Sequence, residues 1–314
     1  MKTIVLDKRP DRDTVDDQEK VVALGYFDGV HLGHQEVIAK AVSIAREKGM
    51  EAAVMTFYPH PSSVLKPSAK REGSLTPLDD KKAYIEQLGV DLLIIVTFDL
   101  TLSRLSPQEF VDAYLINCHA KHIVAGFDYT FGRMAKGNMD NIADYSRSMF
   151  DYTTIARVER FGEKVSSTRI RQFIRSGTVD EAAMLLGHHY RTIGEVVHGD
   201  QRGRVLGFPT ANIALRADYL LPDQGVYAVR LTTDGQSFDG ICSLGSRPTF
   251  YENEQALLAF EVYLLNFNGD LYGQTVSVDW YKKLRGQVKF SSADALIEQM
   301  EKDKQQTIHY FAEL

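Results

Sequence analysis

The spacing of apolar positions divides this chain into two parts. Short apolar runs at 21–24, 51–57, 91–98, 122–125 and 153–158 read as buried strands. Between them, at 35–48, 79–88, 107–118 and 140–149, apolar residues recur every three or four positions, which reads as helix. Two further helices are expected over 166–176 and 179–186. This alternation predicts a doubly wound, Rossmann-like parallel sheet. From residue 190 the helical period is lost. Runs at 191–197, 225–232, 237–243, 259–265 and 275–284 read as strands separated by turns with Gly, Asp or Asn. Helix returns only over 292–311. Short strands without intervening helices predict a small antiparallel barrel with a terminal helix. The change of pattern sets an expected domain boundary near 186, giving domains 1–186 and 187–314.

Ligands of doubly wound sheets bind at the carboxyl ends of the strands. Three turns follow predicted strands and are expected to meet there: the loop from Gly25 to His34, the turn from Thr56 to Pro61, and Gly126-Phe127-Asp128. The first carries most of the chemistry. It runs from strand to helix with Gly25, Phe27, Asp28, Gly29, His31, Gly33 and His34. Glycines let backbone N–H groups approach a phosphate, the start of a helix favours negative charge, and two imidazoles add donors. A nucleoside triphosphate fits this set. Zinc ligation fits less well, because no Cys, Glu or third His stands nearby at metal spacing. The loop is not a P-loop, since no Gly-Lys-Ser/Thr closes it. A plain packing role for the two histidines is the competing reading. Ser166 to Arg171 opens a helix. Its hydroxyls suit N-capping, and Ser167, Thr168, Arg169 and Arg171 together suit phosphate clamping.

The second part has its own constellation. A glycine-rich loop from Gly199 through Gly203 and Gly207 ends at Pro209. Thr210 and Asn212 follow, two residues apart, so in extended chain they point the same way. A hydroxyl and an amide oxygen are hard ligands that suit Mg²⁺ arriving with a nucleotide. Glu261 interrupts the apolar run 259–265, where it either faces solvent or serves as a general base for a hydroxyl.

Composition narrows the function classes. The 314 residues are 44% hydrophobic and 25% charged, enough for two cores. The formal net charge of −6 offers no basic field, so no nucleic acid is expected as a partner. Cys118 and Cys242 form no Cys-x-x-Cys pair and read as reduced thiols of a cytoplasmic protein. The first residues lack a signal-peptide core, and no apolar run approaches the roughly 18 residues of a membrane span, so no membrane role is expected.

Taken together the motifs resemble the prokaryotic bifunctional riboflavin kinase/FMN adenylyltransferase family. The resemblance covers nearly the whole chain and keeps the family order. It rests on Phe-Asp-Gly-Val-His-Leu-Gly-His at 27–34, Thr-Phe-Tyr-Pro-His-Pro at 56–61, Gly-Phe-Asp-Tyr-Thr-Phe-Gly at 126–132 and Ser-Ser-Thr-Arg-Ile-Arg at 166–171. It continues with Gly-Phe-Pro-Thr-Ala-Asn at 207–212, Gly-Val-Tyr-Ala-Val at 225–229, Arg-Pro-Thr-Phe from Arg247, and Gly-Asp-Leu-Tyr-Gly at 269–273. The resemblance implies a nucleotidyltransferase domain followed by a six-stranded kinase barrel. It implies that riboflavin is phosphorylated by ATP to FMN and ADP, and that FMN is adenylylated to FAD with release of pyrophosphate. Under it, His31 and His34 serve the triphosphate, and Asp128 lies near the flavin phosphate and nucleotide. Ser167, Thr168 and Arg171 bind phosphate, with Arg169 beside them. Thr210 and Asn212 hold Mg-ATP beneath a flap from Gly199 to Gly207, and Glu261 is the base for the ribityl hydroxyl. Weak homo-oligomerisation is compatible with this reading. Tyr26, Tyr58, Lys136, Ser243, Tyr263 and Asn266 depart from the usual pattern and bear on rates and flavin affinity. Other adenylyltransferases would not need the second part. A non-catalytic flavin binder would not need His31, His34, Thr210, Asn212 and Glu261 together.

Overall fold

The computed structural model describes residues 1–65, 73–199, 207–246 and 258–314. Gly203 and Arg247 lie outside the described residues. The chain forms two compact units, Met1–Glu72 with Thr76–Ser167, and Gly73–Leu75 with Thr168–Leu314.

The first unit is built on six parallel strands: β1 (Lys2–Leu6), β2 (Lys20–Leu24), β3 (Glu51–Tyr58), β4 (Leu92–Thr97), β5 (Ala120–Gly126) and β6 (Asp151–Ile155). Their order is β1-β4-β3-β2-β5-β6. Alternate residues sort to opposite faces. Val22, Leu24, Ala53, Met55, Leu92 and Ile94 share one core with Phe110, Val111 and Leu115. Val21, Ala23, Ala52, Val54, Leu93 and Ile95 share the other with Val37, Ile38, Ala41 and Ile85. Burial on both faces explains the near-continuous apolar runs. Helix α1 (Leu32–Lys48) follows β2, and α2 (Leu78–Gln87) precedes β4. Helix α3 (Pro107–Phe110) opens on a Ser106–Glu109 capping box and continues as a π-helical segment over Val111–Ile116. The strand order reverses between β2 and β5, so the loop after β2 stands at a topological switch point.

The second unit carries α4 (Ser167–Ser176, of which Ser167 belongs to the first unit), α5 (Val179–Leu186), a closed antiparallel barrel and α6 (Ala293–Ala312). The barrel strands are β7 (Tyr190–Val197), β8 (Thr210–Leu215), β9 (Gly225–Thr233), β10 (Gln236–Ser246), β11 (Leu258–Leu264) and β12 (Thr275–Arg285). They close in the order β7-β8-β11-β10-β9-β12. Tyr190, Tyr227 and Trp280 are fully buried in this unit, and the indole N–H of Trp280 donates to Thr192 Oγ1 at 3.1 Å. The Arg285 guanidinium grips Asp303 through Nε at 3.0 Å and an Nη at 2.7 Å, fastening α6 to β12.

Three local expectations change. The predicted helix over 140–149 shrinks to the single turn Ile142–Tyr145. The last strand of the sheet is Asp151–Ile155, earlier than the apolar run placed it. Lys2–Leu6 is an added edge strand paired with β4. The compact units also group α5 and nearly all of α4 with the barrel, whereas the pattern change put both before the boundary.

Candidate functional site

The loop between β2 and α1 is held by its own packing. Gly25 is required because a Cβ there would meet the Phe27 ring at 2.7 Å. Gly29 takes φ 90°, and Phe27 and Val30 take φ 56° and 40°. A β-branched residue in the left-handed region is strained by about 1–3 kcal/mol, so the surroundings must fix it. They do so through several bonds. Gln35 Nε2 donates to the Val30 carbonyl at 2.8 Å, and Thr76 N–H to Asp28 Oδ1 at 3.1 Å. Ser167 Oγ donates to the Asp28 carbonyl at 2.9 Å. Asp28 is 4% exposed and Phe27 1%. The Asp28 carboxylate therefore braces the loop, and Phe27 can reach a ligand only through its backbone.

His31 is the N-cap of α1, and its Nδ1 accepts the His34 backbone N–H at 3.3 Å. That bond leaves the proton of a neutral His31 on Nε2, as a donor. The two imidazoles stack with ring centroids 3.5 Å apart, and Phe27 meets His34 edge-on at 5.3 Å. Gly33 leaves room for this stack, since a Cβ would lie 3.3 Å from His31 Cε1. Burial pushes the His31 pKa down to about 4 and that of His34 well below its ordinary value. Both rings are therefore neutral donors at pH 7 rather than the cations that phosphate chemistry first brings to mind. His34 Nδ1 is buried without a hydrogen-bond partner. An orphaned polar atom at a helix start, beside glycine-rich backbone, is a place for an anionic ligand.

The neighbouring turns meet this loop, as the sheet topology requires. Thr56 Oγ1 donates to the Tyr26 carbonyl at 2.9 Å, and the His60 ring meets Tyr26 edge-on at 4.2 Å. After β5, Asp128 pairs with Lys164, whose Nζ also lies 4.8 Å from the Phe127 ring centre. Both members of that pair act electrostatically on His31. In the second unit, Arg171 donates to the Gly73 carbonyl at 2.7 Å and Arg169 lies over the Phe173 ring at 5.4 Å. Thr168 falls in that same unit.

The barrel brings its three candidate residues together by register. Asn212 on β8 stands opposite Glu261 on β11, and Thr210 is on the same face two residues earlier. Thr210 Oγ1 donates to Glu261 Oε2 at 3.4 Å. On its other side Glu261 stands opposite Ser243 of β10. Asn212 is 8% exposed, and Gly199 lies against it so closely that a Cβ would fall 2.2 Å from the amide nitrogen. A hydroxyl, an amide oxygen and a carboxylate thus converge. They suit a hard divalent cation, which oxygen ligands prefer. No group of three or more His, Cys, Asp or Glu among the described residues could hold a metal by itself. Gly207 takes φ 82°, turning the chain into Phe208 and Pro209. Phe208 packs edge-on against Tyr263 at 5.1 Å and lines an open groove of about 570 Å³ with Ile297, Glu298, Glu301, Lys302 and Gln305.

Two features escaped the sequence reading. The groove residues of α6 show only as an ordinary helix stripe, and nothing in their spacing marks a ligand. Lys81 carried a usable signal. It falls three residues after Leu78 and four before Ile85, on the apolar stripe of α2, yet is a lysine. Its Nζ donates to the Tyr26 carbonyl at 2.7 Å.

Known proteins align with both units. The FAD synthetase family model matches residues 13–169, and the riboflavin kinase family model matches residues 186–311. A bifunctional riboflavin kinase/FMN adenylyltransferase of Listeria monocytogenes is 47% identical over 314 residues, covering 100% of this chain and 99% of its own. The protein of that name from Bacillus subtilis is 45% identical over 296 residues, covering 94% of each chain. A crystal structure from Streptococcus pneumoniae, described as a macrolide-efflux protein, is 35% identical with a TM-score of 0.88, covering 98% of this chain and 99% of the other. Among the described residues no helix is long and apolar enough to cross a membrane.

Proposed function

Because the chain belongs to the bifunctional riboflavin kinase/FMN adenylyltransferase family, we propose that its two activities divide between the sites described, the barrel making FMN and the parallel-sheet unit making FAD. The assignment rests on one observation above the others. Two unlike phosphate-handling arrangements stand one in each unit: stacked neutral histidines at a helix start, and a threonine–asparagine–glutamate set across two barrel strands.

In the barrel, Glu261 accepts the proton of the ribityl hydroxyl of riboflavin as that oxygen attacks the γ-phosphorus of ATP. The bond from the γ-phosphorus to the bridging oxygen breaks, and ADP leaves. Thr210 and Asn212 would hold Mg²⁺ with the nucleotide, and that ion would supply charge neutralisation on the phosphates. Glu261 is held by Thr210, so base and phosphate ligands share one frame. The groove beside Phe208 and Ile297 offers an apolar wall for a flat isoalloxazine.

In the first unit, a phosphate oxygen of FMN attacks the α-phosphorus of ATP in line, and pyrophosphate leaves. The nucleophile is already anionic, so the protein needs no covalent catalyst. It needs donors aimed at the charge that develops. The His31 Nε2–H, the unpartnered His34 Nδ1 in the neutral tautomer that carries its hydrogen there, and the first N–H groups of α1 supply them. Ser167 of this unit is assigned to phosphate binding, with Asp128 near the flavin phosphate. The cofactor product and two buried free thiols support a cytoplasmic setting.

Incubation of the purified chain with riboflavin, ATP and Mg²⁺, followed by chromatography of the flavins, tests the assignment. FMN is expected first and FAD after it, and omission of the metal should stop both. Absence of both products in the complete mixture would overturn it.

A further inference from the structure

Lys81 occupies a position on α2 where leucine would be ordinary. It is 2% exposed. Burying an ammonium is costly unless a partner compensates it. The Nζ of Lys81 lies on the Tyr26 carbonyl at 2.7 Å and 4.2 Å from the Tyr26 ring centre, so its contacts are a neutral oxygen and an aromatic face. Thr56 Oγ1 gives the same carbonyl a second hydrogen bond at 2.9 Å. Two donors fill the lone pairs of that oxygen, and the planar trans peptide then directs the Phe27 N–H the opposite way. Lys81 thus fixes the peptide from which the phosphate loop departs.

The groups facing this ammonium come from the loop and from α1. Asp28 and Tyr26 belong to the loop and His34 to α1, while His60, in the turn after β3, packs on Tyr26. The Asp28 carboxylate already accepts the Thr76 N–H. Burial lowers the Lys81 pKa to about 8, which measures how incompletely the fold alone compensates the charge.

We propose that Lys81 is a positioning residue for adenylyl transfer, its ammonium holding the Tyr26 carbonyl and placing a buried positive charge behind the loop that takes the nucleotide's polyphosphate. The inference rests on the assignment of the first unit as the adenylyltransferase. An arriving triphosphate compensates the ammonium, and the ammonium in return stabilises negative charge as pyrophosphate leaves. A purely structural lysine would need only its hydrogen bond.

Lys81→Gln separates the two roles, because it keeps a donor for the carbonyl and removes the charge. In the full chain, kcat/KM for ATP in FAD formation should fall about tenfold or more, while riboflavin phosphorylation on the same preparation stays within about twofold. For the unaltered chain, kcat/KM for ATP in FAD formation should decline above about pH 8. Lys81→Arg, which keeps its charge, should lack that decline. Undiminished FAD formation by Lys81→Gln overturns the proposal, as does a decline that persists in Lys81→Arg. If Lys81→Gln does not fold, the unaltered chain decides, and a flat profile from about pH 7 to about pH 9.5 overturns the charge role. A chain that makes no FAD from FMN and ATP at all overturns the adenylyltransferase assignment instead.

Discussion

Folding lowers the pKa of His31 from 6.5 to about 4, because burial strips water from the imidazolium. The unfolded chain therefore binds more protons than the folded one between those two values. Stability rises with pH across that window and is lost as the pH falls through it. The full effect at His31 is about 3 kcal/mol, reached once the pH is below about 4. His34 acts in the same direction. Urea midpoints measured from pH 7 down to pH 5 should fall, and His31→Asn, which keeps an N-cap acceptor, should flatten that slope. An unchanged slope would show that the ring gains its proton without cost. At this scale the sequence points to candidate residues and is silent about their ionisation. A histidine in a glycine-rich turn announces donors, but whether it is charged depends on packing from Phe27 and its surroundings, which lie outside any local pattern. Lys81 is the converse case: a single residue that breaks an apolar stripe was visible, but its partner, the Tyr26 carbonyl 55 positions away, was not.

Elements were legible where apolar periodicity is strong. All the long helices and the central strands β2 to β5 follow it. Elements whose residues are half polar were not. Thr210–Leu215 reads as the tail of a glycine-rich loop, and only pairing with β7 and β11 makes it a barrel strand. That strand carries the metal-ligand candidates, and its register is what aligns Asn212 with Glu261. Gly199 shows how tightly the alignment is set. An alanine Cβ there would fall 2.2 Å from the Asn212 amide nitrogen, so the amide must move. Gly199→Ala should leave the barrel folded, lower kcat/KM for ATP in riboflavin phosphorylation about tenfold, and leave FAD formation from supplied FMN intact. Kinase activity equal to that of the unaltered chain would mean that the Asn212 amide does not serve the nucleotide.

On the scale of the whole molecule, both reactions consume ATP and are linked through FMN, the product of one and the substrate of the other. Glu261 and the His31–His34 pair belong to different compact units, so each can be replaced without touching the other. Glu261→Gln keeps the shape of the side chain but cannot take a proton, so it should make FAD from FMN and no FMN from riboflavin. The double substitution His31→Ala with His34→Ala should do the reverse. Neither variant alone converts riboflavin to FAD. Mixed in equal amounts with riboflavin, ATP and Mg²⁺, they should do so after a lag, because FMN released by one chain is taken up by the other. Chromatography of timed samples should show free FMN rising before FAD. If FMN accumulates in the mixture without FAD, Glu261→Gln has removed adenylyl transfer as well, and the division of the two activities between the two units falls.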